Sequence, residues 1–512
     1  MRRIKSWGFG LFFVAVLIVI TAGYYFNRTP KSTLADLEIV REGVPHLNKN
    51  LDTSDLPLKL KYIDLSKVGF PEAAGHVEGF RSGALILSRL GEFYIFENEK
   101  VIDLDTSVEN NLAEYIDSYG VPGSINLRAH SFVINCDEGK LYAAFQRYSG
   151  TGVGGMAVSS TEFDCEAKNP FVSTHWTDLY FAGPLDVSYL DSSHAAGGGL
   201  AQDDEFLYIS VGWTDGVEDP EEVIELIAQD ISTPRGKVMQ ISKKSLASRV
   251  YSSGHRNLQD LIFLSGTSNL VAVEQGPKGG DELNLIVDGG NYGWPLKTYG
   301  TKYGNFNHSI EFNASKIPKL DDFEEPIFAF VPSPAASSLT QVGSSMGAWS
   351  GDLILGSLKG QSLYRLRLQQ GRVIFSEPVW IGHRIRSMAA LNEGLILLTD
   401  DSYLIDVSID HERLNENETT KNLYATNTKC STCHGFAETT PNSLAPSLKH
   451  IIGRKIGSTN YSKYSDALKA VDGVWDAESI MNFVENPQKF APGTTMPKNA
   501  LSSKEISEIS DL

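Results

Sequence analysis

Between about Leu34 and Asp410 the apolar residues of this chain come in short bursts separated by turn residues. KLYAAF from Lys140, EFLYISVG from Glu205, LVAVEQ from Leu270, DLILGSL from Asp352 and LILLTD from Leu395 are rich in β-branched and aromatic side chains. Most follow a turn containing Gly or Asp, as in CDEG, QDDE and LNEG, and they read as strands. Helical periodicity is scarce there; EDPEEVIELIAQD from Glu218 is the one short candidate. So many short strands exceed the needs of one sandwich and predict a β-propeller, all-β in class. No WD or kelch repeat is visible, so periodicity does not give the blade count. HERLNENETTKN, residues 411–422, is polar and charged and reads as a linker. Beyond it AESIMNFVENP returns to helical spacing.

The N-terminus has a different pattern. Trp7 to Phe26 is an uncharged apolar stretch behind Arg2, Arg3 and Lys5. Its length suits a helix crossing ~30 Å of hydrocarbon, and the preceding positive charges send the remainder across. A cleaved signal peptide is the competing reading, but ITAGYY is a poor cleavage site. The expected organisation is a membrane anchor at 1–31, a propeller at 32–410, the linker at 411–422 and a small domain at 423–512. The anchor places the chain at a bacterial inner membrane with its bulk in the periplasm.

A chain of 512 residues calls for more than one core. Its formal charge of −18 argues against nucleic acid and anionic membrane surfaces as partners. Of four cysteines, two lie in CSTCH at Cys430 to His434. C-x-x-C-H attaches a c-type haem through both thiols, here Cys430 and Cys433, and makes His434 an axial iron ligand. Met496, in the loop APGTTMPK, is the expected second ligand; Met481 is a rival whose apolar neighbours suit core packing better. Cys136 and Cys165 remain, either as a disulfide or as two buried thiols.

Four segments of the strand-rich region resemble the soluble quinoprotein sugar dehydrogenases, six-bladed propellers that bind pyrroloquinoline quinone (PQQ) and calcium. They are GHRNLQDL at Gly254, EQGPKGGDELNLI at Glu274 followed by NYGWP at Asn291, GSLKGQSLYRLRL at Gly356, and HRIRSMAAL at His383. The stretch from Lys421 to Leu512, with LAPSLKHIIGRKIG from Leu444, resembles a small all-α cytochrome c domain. The resemblance implies that Arg256, Asn257, Lys359, Arg384 and Arg386 hold the three carboxylates of PQQ, arginine forks pairing a carboxylate through two parallel hydrogen bonds. It also implies calcium held by the carbonyls of Gly276 and Pro277, with Gln275 and Asp281 in support. SSHAAGGGLAQDDEFLYIS matches the family's catalytic-base segment, making His194 the base, although His194 lies one residue further from the following strand than is usual. The family's early Gly/Leu-rich segment is largely replaced near SINLRAHSFVI, where Arg128 and His130 appear, which leaves the sugar open.

The expected activity is PQQ- and calcium-dependent oxidation of an aldose or related alcohol, with Arg256 steadying the developing oxygen charge. Electrons then pass one at a time to the haem and on to a respiratory acceptor. The rivals are a calcium-dependent, lactonase-like propeller hydrolase and a non-enzymatic propeller scaffold carrying a cytochrome.

Overall fold

The computed structural model describes residues 48–71, 75–119, 127–150, 153–186, 196–213, 226–301, 323–414, 445–448, 450–459, 461, 464–494 and 496. Among these, residues 60–345 and 350–407 belong to one compact unit, and residues 50–59, 346–349 and 408–496 to a second. The apolar stretch Trp7 to Phe26 lies outside the described residues. Among those described, no helix is long and apolar enough to cross a membrane.

The first unit is a propeller of six antiparallel sheets, five of four strands and one of five. Each blade starts with an innermost strand: His76–Phe80, Ala129–Asn135, Gly197–Gln202, Leu258–Phe263, Ala336–Gln341 and Ile385–Leu391, in blades 1 to 6. These six strands contact one another in a closed ring. Blade 6 is completed from the other end of the sequence, where Pro57–Asp64 pairs with Tyr403–Ile409 and ties the start of the propeller to its finish.

All five strands read from sequence fall in one structural class. Lys140–Tyr148, Phe206–Val211, Leu270–Glu274, Leu353–Ser357 and Gly394–Thr399 are the second strands of blades 2 to 6. Such a strand is sandwiched between neighbouring blades, so both faces are buried and its sequence is a continuous apolar run rather than an alternation. Leu270–Glu274, Leu353–Ser357 and Gly394–Thr399 are buried at every position. Outer strands lose that signature: Arg372–Trp380 is mostly exposed. The candidate helix from Glu218 is described only from Leu226, where one 3₁₀ turn, Leu226–Gln229, is found. A helix not expected from the sequence spans Leu112–Tyr119.

Cys136 and Cys165 form a disulfide within blade 2, with Cα atoms 5.7 Å apart. Cys136 is exposed, so the buried-thiol alternative fails on solvent access.

The described part of the second unit holds short helices at Asp466–Lys469, Ala477–Glu485 and Pro487–Phe490. The second begins with a reciprocal capping box between Asp476 and Ser479, and Asn486 caps the third, whose Pro487 already has a helical φ. Their apolar faces meet in a cluster that includes Ile456, Leu468, Trp475, Phe483 and Phe490.

Candidate functional site

Antiparallel pairing sets the beginning of each innermost strand beside the end of the second strand: Leu258 faces Glu274, Ala336 faces Ser357 and Ile385 faces Thr399. One end of the propeller therefore collects six strand starts and the loops that follow the second strands. In blades 2 to 6, the register of the innermost strand slips at its start, at Ala129/Ser131, Gly197/Leu200, Leu258/Asp260, Ala336/Ser338 and Ile385/Ser387. A bulge leaves a residue out of the ladder and re-aims its side chain. The residues skipped at four of the slips, His130, Gln259, Ser337 and Arg386, all line one cavity at this end, and Gly197 joins them from the fifth. Blade 1 pairs without a slip, and His76 lines the cavity directly. The space around the cavity amounts to about 890 Å³, open solvent at its mouth included.

Polar side chains staple the bulged backbone across blades. Ser210 Oγ accepts from the amides of Gly198 and Gly199 and donates to Leu258 O at 3.0 Å. Ser337 Oγ sits 3.0 Å from Gly356 O and 2.6 Å from Ile385 O. The two oxygens of Asp260 accept from Leu261 N and Leu339 N.

The residues expected to hold PQQ come from blades 4 to 6. Arg384 and Arg386 line the cavity and share Asp400, Nε to carboxylate at 2.8 Å in both cases. Burial works against the Asp400 charge, yet the two guanidiniums hold its pKa below the ordinary carboxylate value. Gln275 also lines the cavity; its amide donates to Ala336 O at 2.7 Å. Lys359 is exposed, next to Leu358 in the wall. Asn257 is fully buried and braces the neighbouring wall, its Oδ1 accepting from Gly197 N and Gln259 Nε2.

Arg256 is placed by its predecessor. His255 stacks on Tyr292, with Nδ1 3.0 Å from Glu274, whose second oxygen accepts the Arg256 amide. The Arg256 guanidinium lies over Trp294 and donates from Nη1 to the carbonyls of both Gln275 and Gly276 at 3.0 Å. The Gly276 carbonyl expected to face calcium thus already accepts from a guanidinium. Asp281, fully buried, pins the turn by accepting from Gly276 N and Ala336 N. Gly280 closes the turn at φ +69°, where a Cβ would lie 2.3 Å from Gly300 N. Pro277 is buried within it. Among the described residues no cluster of three His, Cys, Asp or Glu side chains is poised to take a metal. The donors at this turn are neutral carbonyl oxygens, chemically right for calcium but too few alone, so further oxygens must come from a bound anion and water.

His194 lies outside the described residues; Ala196, two positions later, lines the cavity. Two other cavity groups, His76 and Asp260, carry no expected role from sequence. His76 is buried with Nε2 3.0 Å from Glu78 Oε1; burial lowers its pKa, but Glu78 overrides this and the net shift is upward. Asp260, in the matched string GHRNLQDL but without an expected role, is pushed by burial to about 6. His130 is tuned the opposite way from His76: burial and then Arg128 bring it down to about 3, so it is neutral at any working pH.

Cys430, Cys433 and His434 lie outside the described residues. Met496 lines an apolar cavity in the second unit, about 550 Å³ with the open solvent at its mouth included, together with Leu448, Ile451, Trp475 and Phe483. Met481 is half-buried and lines no part of it, so the expectation that it packs in the core does not hold. An apolar slot with a thioether in its wall suits the flat face of a porphyrin.

The chain is 29% identical over 201 residues to aldose sugar dehydrogenase YliI of Escherichia coli, a match covering 34% of this chain and 51% of that protein. It spans about half the length of the first curated relatives it matches. Its C-terminal part is similar to a cytochrome c homolog of Rickettsia typhi, 43% identical over 68 residues, 13% of this chain and 39% of that one. The crystal structure of the soluble aldose sugar dehydrogenase from Escherichia coli in its apo form superposes with a TM-score of 0.54 at 22% identity, covering 68% of this chain and 99% of that one, which shows a shared fold. The Glucose / Sorbosone dehydrogenase family matches residues 136–405, more than half of the sequence, and the chain belongs to that family.

Proposed function

We propose that this chain oxidises an aldose, or a related alcohol, with PQQ and calcium, and passes the electrons to a haem c on its own C-terminal part and then to a respiratory acceptor. The observation supporting this most is the cavity itself, in which bulged innermost strands bring Arg386 and its neighbour Arg384 together with Gln275, next to the Arg256–Gly276 turn. A polyanion fits that donor set. Asp400 engages Nε of Arg384, and the remaining guanidinium N–H groups of Arg384 make no hydrogen bond among the described residues. They are available to carboxylates, with Lys359 at the rim as a point charge.

PQQ, when bound, supplies a hydride acceptor; calcium at Gly276 and Pro277 supplies Lewis-acid polarisation; haem c supplies a one-electron acceptor. The chain's own residues do the rest. His194 takes the proton from the anomeric hydroxyl, a general-base role that a neutral imidazole suits near pH 7. Arg256 stays beside the reacting oxygen, where its charge offsets the one developing there. Arg384 and Arg386, fixed by Asp400, orient the anion they bind. An anchor at Trp7 to Phe26 would keep the enzyme at the inner membrane, with its catalytic part in the periplasm.

The test is spectroscopic. Full-length protein with attached haem, loaded with PQQ and calcium, reduces its haem when given an oxidisable sugar, and His194→Ala slows this about a hundredfold or more. Reduction at full speed in the variant removes His194 from the mechanism. Failure of every sugar removes the dehydrogenase reading.

A further inference from the structure

The basic groups of the cavity extend beyond those that the cofactor engages. Arg256, Lys359, Arg384 and Arg386 belong to blades 4, 5 and 6. Arg128 lines the cavity from blade 2, immediately before the innermost strand Ala129–Asn135. Arg89 follows the second strand of blade 1, Gly83–Leu87, and accepts the Ala129 amide on its carbonyl at 2.8 Å. Blade 1, which carries Arg89, lies opposite blade 4 and its Gly276 turn in the ring, and blade 2, which carries Arg128, is the neighbour of blade 1. Arg128 is largely buried, and its Nε makes no hydrogen bond among the described residues. Burial first, and then the charges of Arg386 and Arg89, bring its pKa down to about 10, with Asp400 opposing them only in part. Asp260, an acid in the cavity wall, is committed to two backbone amides of blades 4 and 5. Asp400 is the acid whose charge reaches Arg128, and that carboxylate is already bonded to Arg384 and Arg386, so a desolvated guanidinium here is costly unless a further anion arrives to pair with it.

We propose that the sugar oxidised here carries an anionic group remote from its reacting carbon, and that Arg128, backed by Arg89, receives that group. This rests on the sugar dehydrogenase reading. A carboxylate, as in a uronic acid, and a phosphate share the required chemistry, since guanidinium pairs both through two parallel hydrogen bonds. His130, two residues beyond Arg128 and uncharged, adds a neutral polar contact without competing for the anion.

The first experiment needs no turnover. Methyl β-glucuronide and methyl β-glucoside have no free anomeric hydroxyl, so they occupy the site without being oxidised. With the PQQ- and calcium-loaded full chain, the charged glycoside raises the melting temperature and the neutral one does not, because only a ligand that binds the folded state stabilises it. Arg128→Gln abolishes the difference while PQQ content stays unchanged. Equal shifts with both glycosides overturn the proposal. So does loss of PQQ from Arg128→Gln, which assigns Arg128 to the cofactor instead.

The second experiment compares kcat/KM for glucuronate, glucose 6-phosphate and glucose, with haem reduction as the signal. Either charged substrate exceeds glucose, their ranking names the anion, and Arg128→Gln lowers the charged-to-neutral ratio about ten- to a hundredfold through KM, the size expected for a lost charged hydrogen bond. Glucose turned over best, with no change of ratio in the variant, overturns the anionic substrate and leaves the dehydrogenase standing. No reduction by any sugar defeats the dehydrogenase reading, while the glycoside result still decides whether the pocket selects charge.

Discussion

At the scale of single residues, the ionisable groups around the Gly276 turn are tuned by how they are buried. Glu282 follows Asp281 on the strand Asp281–Ile286 and accepts from Asn284 Nδ2 at 3.1 Å. Burial first, and then the neighbouring Glu274, raise its pKa from an ordinary 4.5 to about 8. The folded protein thus keeps Glu282 protonated well above the pH at which the unfolded chain ionises it. Its contribution to stability is fully present below pH 4.5 and is lost as the pH climbs to about 8. Metal-free protein should therefore melt at progressively lower temperature between pH 5 and pH 8. Glu282→Gln, which keeps the shape and the Asn284 partner, should flatten that slope. Melting curves in chelator across this range check it; parallel slopes for the two proteins would show that Glu282 titrates normally.

At the scale of elements, the site is made by irregularity in strands that are otherwise regular. Gly197 and Gly198 take φ of +75° and +106°, and a Cβ on Gly198 would lie 2.3 Å from the His130 ring. That run of glycines lets blade 3 slip its register, and Ser210 Oγ then satisfies the Gly198 and Gly199 amides freed by the slip. Ser210→Ala would strand two buried donors and the Leu258 carbonyl. Denaturant unfolding should show a loss of about 2–4 kcal/mol, with Ser210→Thr, which keeps the hydroxyl, losing less. A loss below about 0.5 kcal/mol, the range of ordinary surface changes, would mean that water replaces the staple. The same element explains how far sequence could reach. Second strands were legible because burial on both faces writes a continuous apolar run. Arg384, Arg386, Gln275 and the Gly276 turn were legible because they sit in strings that match the family. His76 and Arg89 lie in no such string, and His130 and Arg128 were noticed only as departures from the pattern. Their convergence depends on bulges and on ring closure, which are properties of strand pairing and leave no periodic trace.

At the scale of the whole molecule, the site proposed for sugar oxidation and the haem-attachment motif occupy one covalent chain, and this sets the kinetic order expected of the proposed transfer between them. Tethering turns a bimolecular encounter into an intramolecular step with an effective acceptor concentration of order millimolar. Protein at micromolar concentration cannot match this by collision with other copies. Each copy carries a formal charge of −18, so encounters between copies are further suppressed at low ionic strength. After a saturating pulse of sugar, the haem should be reduced with a first-order rate constant that stays the same over about a hundredfold range of protein concentration. A route between copies would betray itself twice: its rate would rise in proportion to protein concentration, and added salt would speed it by screening the mutual repulsion. Observing both would place the productive haem on a second chain and make the fusion a means of delivery to the membrane rather than of wiring. A rate constant indifferent to concentration supports transfer within the chain, with the proposed external acceptor drawing electrons only from the reduced haem.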